Sequence, residues 1–108
     1  MATKTSDKIG RAVSGLNIAD GRKTVSSAGS EVTLESSTNV VDFVIITAET
    51  DNTGTITVGA DTVVASLSTR RGTPLNAGDT VSLGGVDLNE VYLDSTVSGD
   101  GVTYIYTK

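Results

Sequence analysis

Apolar and polar residues alternate with period two in short blocks along the chain, and the blocks are separated by Gly, Asn, Asp and Ser. This pattern predicts β-strands with one buried face. Residues 25–36 form a first strand region, clearest in Glu31-Val32-Thr33-Leu34-Glu35, where Val32 and Leu34 share a side. After the turn cluster Ser36-Ser37-Thr38-Asn39 comes the most apolar stretch, Val40 to Ile46, broken only by Asp42. A nearly continuous apolar run is expected where both faces of a strand are covered, which places this one centrally.

Residues 49–54 form a turn into Thr55-Ile56-Thr57-Val58, and Gly59-Ala60-Asp61 turns into a strand over 62–66. The only proline, Pro74, marks a loop or an edge strand, because it cannot donate to a ladder. Further strands are predicted at 80–83, 90–94 and 102–107, the last two joined by Ser98-Gly99-Asp100-Gly101 as a tight hairpin. No segment has a convincing 3.6-residue period. Seven or eight short strands predict an all-β fold, an antiparallel β-sandwich or jelly roll, with an open barrel as the alternative.

Composition agrees with this reading. Threonine occurs 17 times and valine 14 times, whereas Lys and Glu together number eight. Thr and Val suit a pleated surface better than a helix. One domain is expected at 108 residues, and the core must be aliphatic, since Phe43, Tyr92, Tyr104 and Tyr106 are the only aromatic residues. The longest apolar run, Phe43 to Ile46, is too short to span a membrane, and no apolar leader segment follows the first lysines.

Charge divides the chain in two. Residues 1–24 carry five basic and two acidic side chains, whereas residues 25–108 carry three basic and eleven acidic ones. Ile9, Val13, Leu16 and Ile18 are too few apolar side chains to offset the ordering of about twenty residues. Residues 1–24 are therefore expected to form an extended basic arm that orders against another subunit, and residues 25–108 the sandwich. The other reading of the segment is a frayed terminus.

Candidate chemistry is sparse. The chain has no Cys, His or Trp, which removes thiolates, imidazole bases and the commonest metal ligands. Acidic turns at 51–54, Asp61 and 99–101 lack the spacing of a calcium loop, and Asp and Asn serve turns by bonding their own backbone. Asp42 has no partner carboxylate that the sequence identifies; it is expected to face out on an edge strand or to block wrong strand pairing. Tyr104 and Tyr106 share a strand face and offer a sugar-binding shelf with Tyr92, or else pack at the core rim. The acidic body disfavours nucleic acid. No enzyme, cofactor or metal is expected.

The residues Arg71-Gly72-Thr73-Pro74-Leu75-Asn76-Ala77-Gly78-Asp79-Thr80-Val81-Ser82-Leu83, then Asp87 to Asp94 and Gly99 to Tyr106, resemble small virion structural proteins of tailed bacteriophages. The stretch Val41 to Val58, a buried strand followed by a hairpin, fits the same pattern. The resemblance implies a decoration (cement) protein on the outer surface of the capsid, binding the major capsid protein and itself as a homo-oligomer, with trimers expected. The alternative is a tail or fibre module that binds host glycan. The charge layout favours decoration, because a separate small chain with a basic arm suits gripping a lattice. Contact residues expected on this basis are Lys4, Lys8, Ile9, Arg11, Val13, Leu16, Ile18, Arg22 and Lys23 of the arm, with Arg70 and Arg71 as a basic pair in the acidic body.

Overall fold

The computed structural model describes residues 17–108. They form eight strands: β1 (Ile18–Thr24), β2 (Val32–Thr33), β3 (Val40–Ala48), β4 (Ile56–Gly59), β5 (Thr73–Leu75), β6 (Thr80–Asp87), β7 (Tyr92–Ser95) and β8 (Gly101–Thr107). A front sheet has the order β1-β8-β3-β6 and a back sheet the order β2-β7-β4-β5, and every pairing is antiparallel. The all-β sandwich expected from the alternation is therefore present. Every connection except β4 to β5 passes from one sheet to the other.

The core between the sheets is aliphatic. Val44, Ile46 and Val102 from the front sheet meet Ile56, Val58 and Leu93 from the back, all of them buried. Pro74 sits on β5, an edge strand, where its missing N–H costs little.

The front sheet contains a paired step. Val41 and Val44 both face the core, although strict alternation would put them on opposite sides. Opposite them, Val86 and Leu83 are both partly buried against the core. The strand register is the same on either side of Asp42 and Gly85, so each strand spends one residue on switching faces. Gly85 makes this possible with φ of +60°. Asp42 lies exposed at the step, inside the sheet and not at its edge.

Several expected elements differ. Residues 18–24, assigned to the arm, form β1 and pair along all of β8, so the sheet begins earlier than the boundary at 24. Apolar patterning does not reveal this strand, because its ladder bonds come from β8. Residues 1–16 of the expected arm lie outside the described residues. The first strand region shrinks to Val32–Thr33, while Val25 enters the core from a loop. Residues 62–66 form a loop with one bridge, Val64 to Arg71, instead of a strand. The turn at 98–101 is not a hairpin, since β7 and β8 belong to different sheets, and the same holds for β3 and β4. Turn residues mark a reversal of direction without showing which sheet receives the chain.

Carboxylates staple the loops. Asp94 on β7 is 3% exposed and accepts N–H bonds from Gly29 (2.9 Å) and Ala65 (2.8 Å), two loops distant in sequence. Asp100 accepts from Thr53 (3.2 Å) and Gly54 (2.8 Å), and Asn52 exchanges two bonds with the backbone of Gly101. The turns at 51–54 and 99–101 thus bond each other's backbone through Asn52 and Asp100, instead of each its own as expected from sequence. The loop from 60 to 72 folds over the outer side of the back sheet, where Val63, Ala65 and Thr57 are buried. Arg70 Nε donates to Ala65 O at 2.9 Å and closes this loop on itself. Consequently β4, not β3, is the strand covered on both faces.

That outer layer can be probed by two substitutions. Asp94→Ala leaves two amides without their acceptor and should cost about 2–5 kcal/mol in urea denaturation. Thr57 Oγ1 is buried without a hydrogen-bond partner among the described residues. Thr57→Val keeps the shape and removes the stranded hydroxyl, so it should stabilise the protein by about 0.5–2 kcal/mol in the same assay.

Candidate functional site

Most of the large exposed apolar side chains among the described residues lie on the outward face of the front sheet. Antiparallel register sets its residues in rows. Ile18, Thr107, Phe43 and Gly84 form one row; Asp20, Ile105, Ile45 and Ser82 the next; Arg22, Thr103, Thr47 and Thr80 the third. Ile18 is 68% exposed, Phe43 46%, Ile105 43% and Ile45 36%. Together with Tyr106 and Thr107 these four line an apolar groove of about 210 Å³. Isolated exposed apolar side chains are ordinary, but these four lie in adjoining rows of one sheet and form a continuous apolar patch among the described residues.

This face corrects the expectation for β3. Its apolar run predicts burial on both sides, yet among the described residues only the inner side is covered. The signal in the sequence is real: Phe43 and Ile45 are apolar because of the outer face, and the cover for that face is not found among residues 17–108. Phe43, Ile45 and Ile105 are absent from the contact residues expected from sequence, although the unbroken run Phe43 to Ile46 carries that information.

Beside these rows lies a polar one, Arg22 with three threonines. Arg22 Nε donates to Glu49 Oε2 at 3.1 Å across the sheet surface. With the arginine 68% exposed, this ion pair is worth at most about 1 kcal/mol and orients the side chain more than it stabilises the fold. Asp20, Gly21, Arg22, Ile45, Thr47, Thr103, Tyr104 and Ile105 line a shallow depression there.

Of the expected contact residues, Ile18, Arg22 and Lys23 lie on β1, the first two on its outward face and Lys23 on the other. Lys4, Lys8, Ile9, Arg11, Val13 and Leu16 lie outside the described residues. Arg70 and Arg71 stand elsewhere, at the end of the loop over the back sheet, where Arg70 is a loop staple and Arg71 is exposed. A single basic patch uniting β1 with this pair does not form. Leu67, 79% exposed, projects from the short 3₁₀ turn Leu67–Thr69 of the same loop, beside a cleft of about 400 Å³ that has Asp94 in its lining.

The tyrosines do not make a shelf. Tyr104 is 6% exposed and stacks with Tyr106 at a ring separation of 6.1 Å, inside one end of the sandwich. Its hydroxyl donates to Glu35 Oε2 at 2.9 Å, while Asn39 Nδ2 reaches both Glu35 Oε1 (2.8 Å) and Tyr106 Oη (3.1 Å). The ring lies over Gly21 of β1, where any side chain would collide with it. Packing at the core rim is thus the role of this pair, and Tyr92 lies apart on β7 near Asp61 and Glu90.

No protein-family model matches this chain, and no curated protein matches it.

Burial, reinforced by the hydrogen bond to Glu35 and its negative charge, raises the Tyr104 phenol well above the ordinary tyrosine value. The unfolded chain ionises this tyrosine near pH 10 while the folded protein keeps it neutral, so its contribution is intact below pH 10 and declines as pH rises beyond it. Urea unfolding at about pH 8 and about pH 11 should show this loss of stability in the native chain. Tyr104→Phe should show a smaller loss over the same interval.

Proposed function

We propose that this chain is a capsid decoration protein of a tailed phage, attached to the outer surface of the head through the outward face of the front sheet. The observation that carries the proposal is the apolar patch of Ile18, Phe43, Ile45 and Ile105 on a rigid sheet. It is broad and shallow, which suits docking on another protein surface. The chain enters the sheet at Ile18, itself part of the patch, so the basic stretch 1–16 is tethered beside the same surface. Five basic against twelve acidic residues in 17–108 give the body a net negative charge, opposite to that of the tethered stretch.

Strand connectivity supports the virion reading. β1 pairs with β8, β2 with β7, β3 with β6 and β4 with β5, so the chain forms one long two-stranded ribbon. The ribbon is wound up so that β3 also meets β8 and β4 meets β7, which supports a jelly-roll assignment. That architecture is common in viral capsid and lectin domains. The lectin alternative draws on a tyrosine shelf, and with Tyr104 buried it lacks that support. Major capsid protein subunits are the partner in this proposal, and copies bound across the lattice gain by multivalency.

The test is co-sedimentation with bare heads assembled from the major capsid protein of the same genome. Phe43→Thr combined with Ile105→Thr retains strand-forming residues and should cost about 1 kcal/mol per site in stability while lowering head binding about tenfold or more. A chain starting at Asn17 should remain folded and bind more weakly than the full chain. Undiminished binding by the doubly substituted protein would exclude the sheet face as the attachment surface.

A further inference from the structure

Strand edges are sites of association, and three of the four here are blunted. In the back sheet, β2 has two residues and β5 has three, including Pro74. In the front sheet, β6 steps at Gly84-Gly85. The fourth edge, β1, runs seven residues in unbroken register with β8 and carries neither proline nor bulge. Among the described residues, β8 is the only strand it pairs with.

The phase of its free groups can be read from its ends. Asn17 and Lys108 exchange both backbone bonds, at 2.8 and 3.0 Å, and Val25 N–H donates to Asp100 O at 2.9 Å. Antiparallel ladders alternate, so Ala19, Gly21 and Lys23 likewise spend their backbone groups on β8. The N–H and C=O groups of Ile18, Asp20, Arg22 and Thr24 therefore point away from the sheet.

We propose that β1 is a self-association edge: two copies of this chain pair β1 to β1 in antiparallel fashion about a two-fold axis through Gly21, joining their front sheets into one eight-stranded sheet. Three observations select this partner and register. Only this register matches all seven residues of Ile-Ala-Asp-Gly-Arg-Lys-Thr with their symmetry mates. It sets outward-pointing backbone groups opposite one another, Ile18 with Thr24 and Asp20 with Arg22 of the second copy. It also places Asp20 of each copy against Arg22 of the other on the outward face, giving two ion pairs. Shifting the axis to Asp20 or Arg22 puts like charges face to face, which disfavours those registers. At the axis, glycine meets glycine, with no side chain between the strands. Arg22 has its Nε on Glu49, and a guanidinium has further N–H donors for the second carboxylate. This contact lies at the sheet edge and is independent of the shell-binding proposal; it yields a pair, where the resemblance implies a trimer.

The experiment uses full-length protein in sedimentation equilibrium. The expected result is a dimer forming at about 1–100 μM. Asp20→Arg and Arg22→Asp, each alone, set like charges opposite at both sites and should weaken the dimer about ten- to a hundredfold. Mixing these two single variants should give a one-to-one heterodimer of near-native affinity, since every site is again Asp against Arg. A second readout needs no charge change. The chain has no cysteine, and Ala19→Cys with Lys23→Cys places two reporters in positions that face each other across the axis. They are too far apart within one strand to bridge, so oxidation should give a dimer joined by two disulfides. A chain that stays monomeric to about 1 mM overturns the proposal and leaves the edge free or covered by residues 1–16 of its own chain. A dimer indifferent to the charge variants, or one whose cysteines do not join, overturns it equally.

Discussion

Between the two sheets lies a thin layer of branched aliphatic side chains, with Val44, Ile46 and Val102 on one side and Ile56, Val58 and Leu93 on the other. The molecule rests on this contact and on the aliphatic residues around it, among them Val41, Leu75, Leu88 and Val91, because aromatic residues add little: Phe43 faces outward and Tyr104 is buried at one end. A layer without polar atoms holds the sheets together but says nothing about where the loops go. That information is supplied by Asp94 and Asp100, whose carboxylates each collect two amides. A buried acceptor left empty is costly, so each of these residues admits few loop arrangements. Nonpolar burial sets the stability here, and paired carboxylate contacts choose among the ways of closing the ends.

Much of this is legible in the residues. Period-two alternation locates β4, β6, β7 and β8, a nearly continuous apolar run locates β3, together they identify an all-β sandwich, and Pro74 marks an edge strand. What escapes is whatever depends on contacts distant in sequence. The stretch Ile18 to Thr24 has no apolar face, yet it is an ordered strand because β8 gives it a ladder and Tyr104 needs the space over Gly21. Residues 62–66 read as a strand because Val63, Val64 and Ala65 are apolar, but they form a lid on the back sheet, with Val63 and Ala65 buried. Turn clusters at 49–54 and 98–101 are located correctly from sequence, and their destinations in the opposite sheet are not.

The instructive case is β3. Its run of apolar residues demands two covered faces, and the described residues cover one. The surplus on Phe43 and Ile45 is coherent with Ile105 of β8 and Ile18 of β1, which occupy the neighbouring rows of the same face. Four residues from three strands converge there without any local pattern that would group them. The candidate surface is therefore visible in the sequence only as an excess, and register is needed to turn the excess into a place. The face and, among the described residues, the unpaired edge of β1 are separate surfaces of the same sheet.

Because β8 lies between β1 and β3, the front sheet cannot be assembled in the order in which its strands are made. β1 and β3 leave the ribosome early and must both wait, without their shared neighbour, until the eighth strand has been translated. During that interval the nascent polypeptide holds unpaired edges and an uncovered Phe43, the condition in which wrong pairings between chains arise most easily. A topology closed by its final strand thus favours slow maturation. It also puts a premium on Asp42 in β3 as a guard during synthesis.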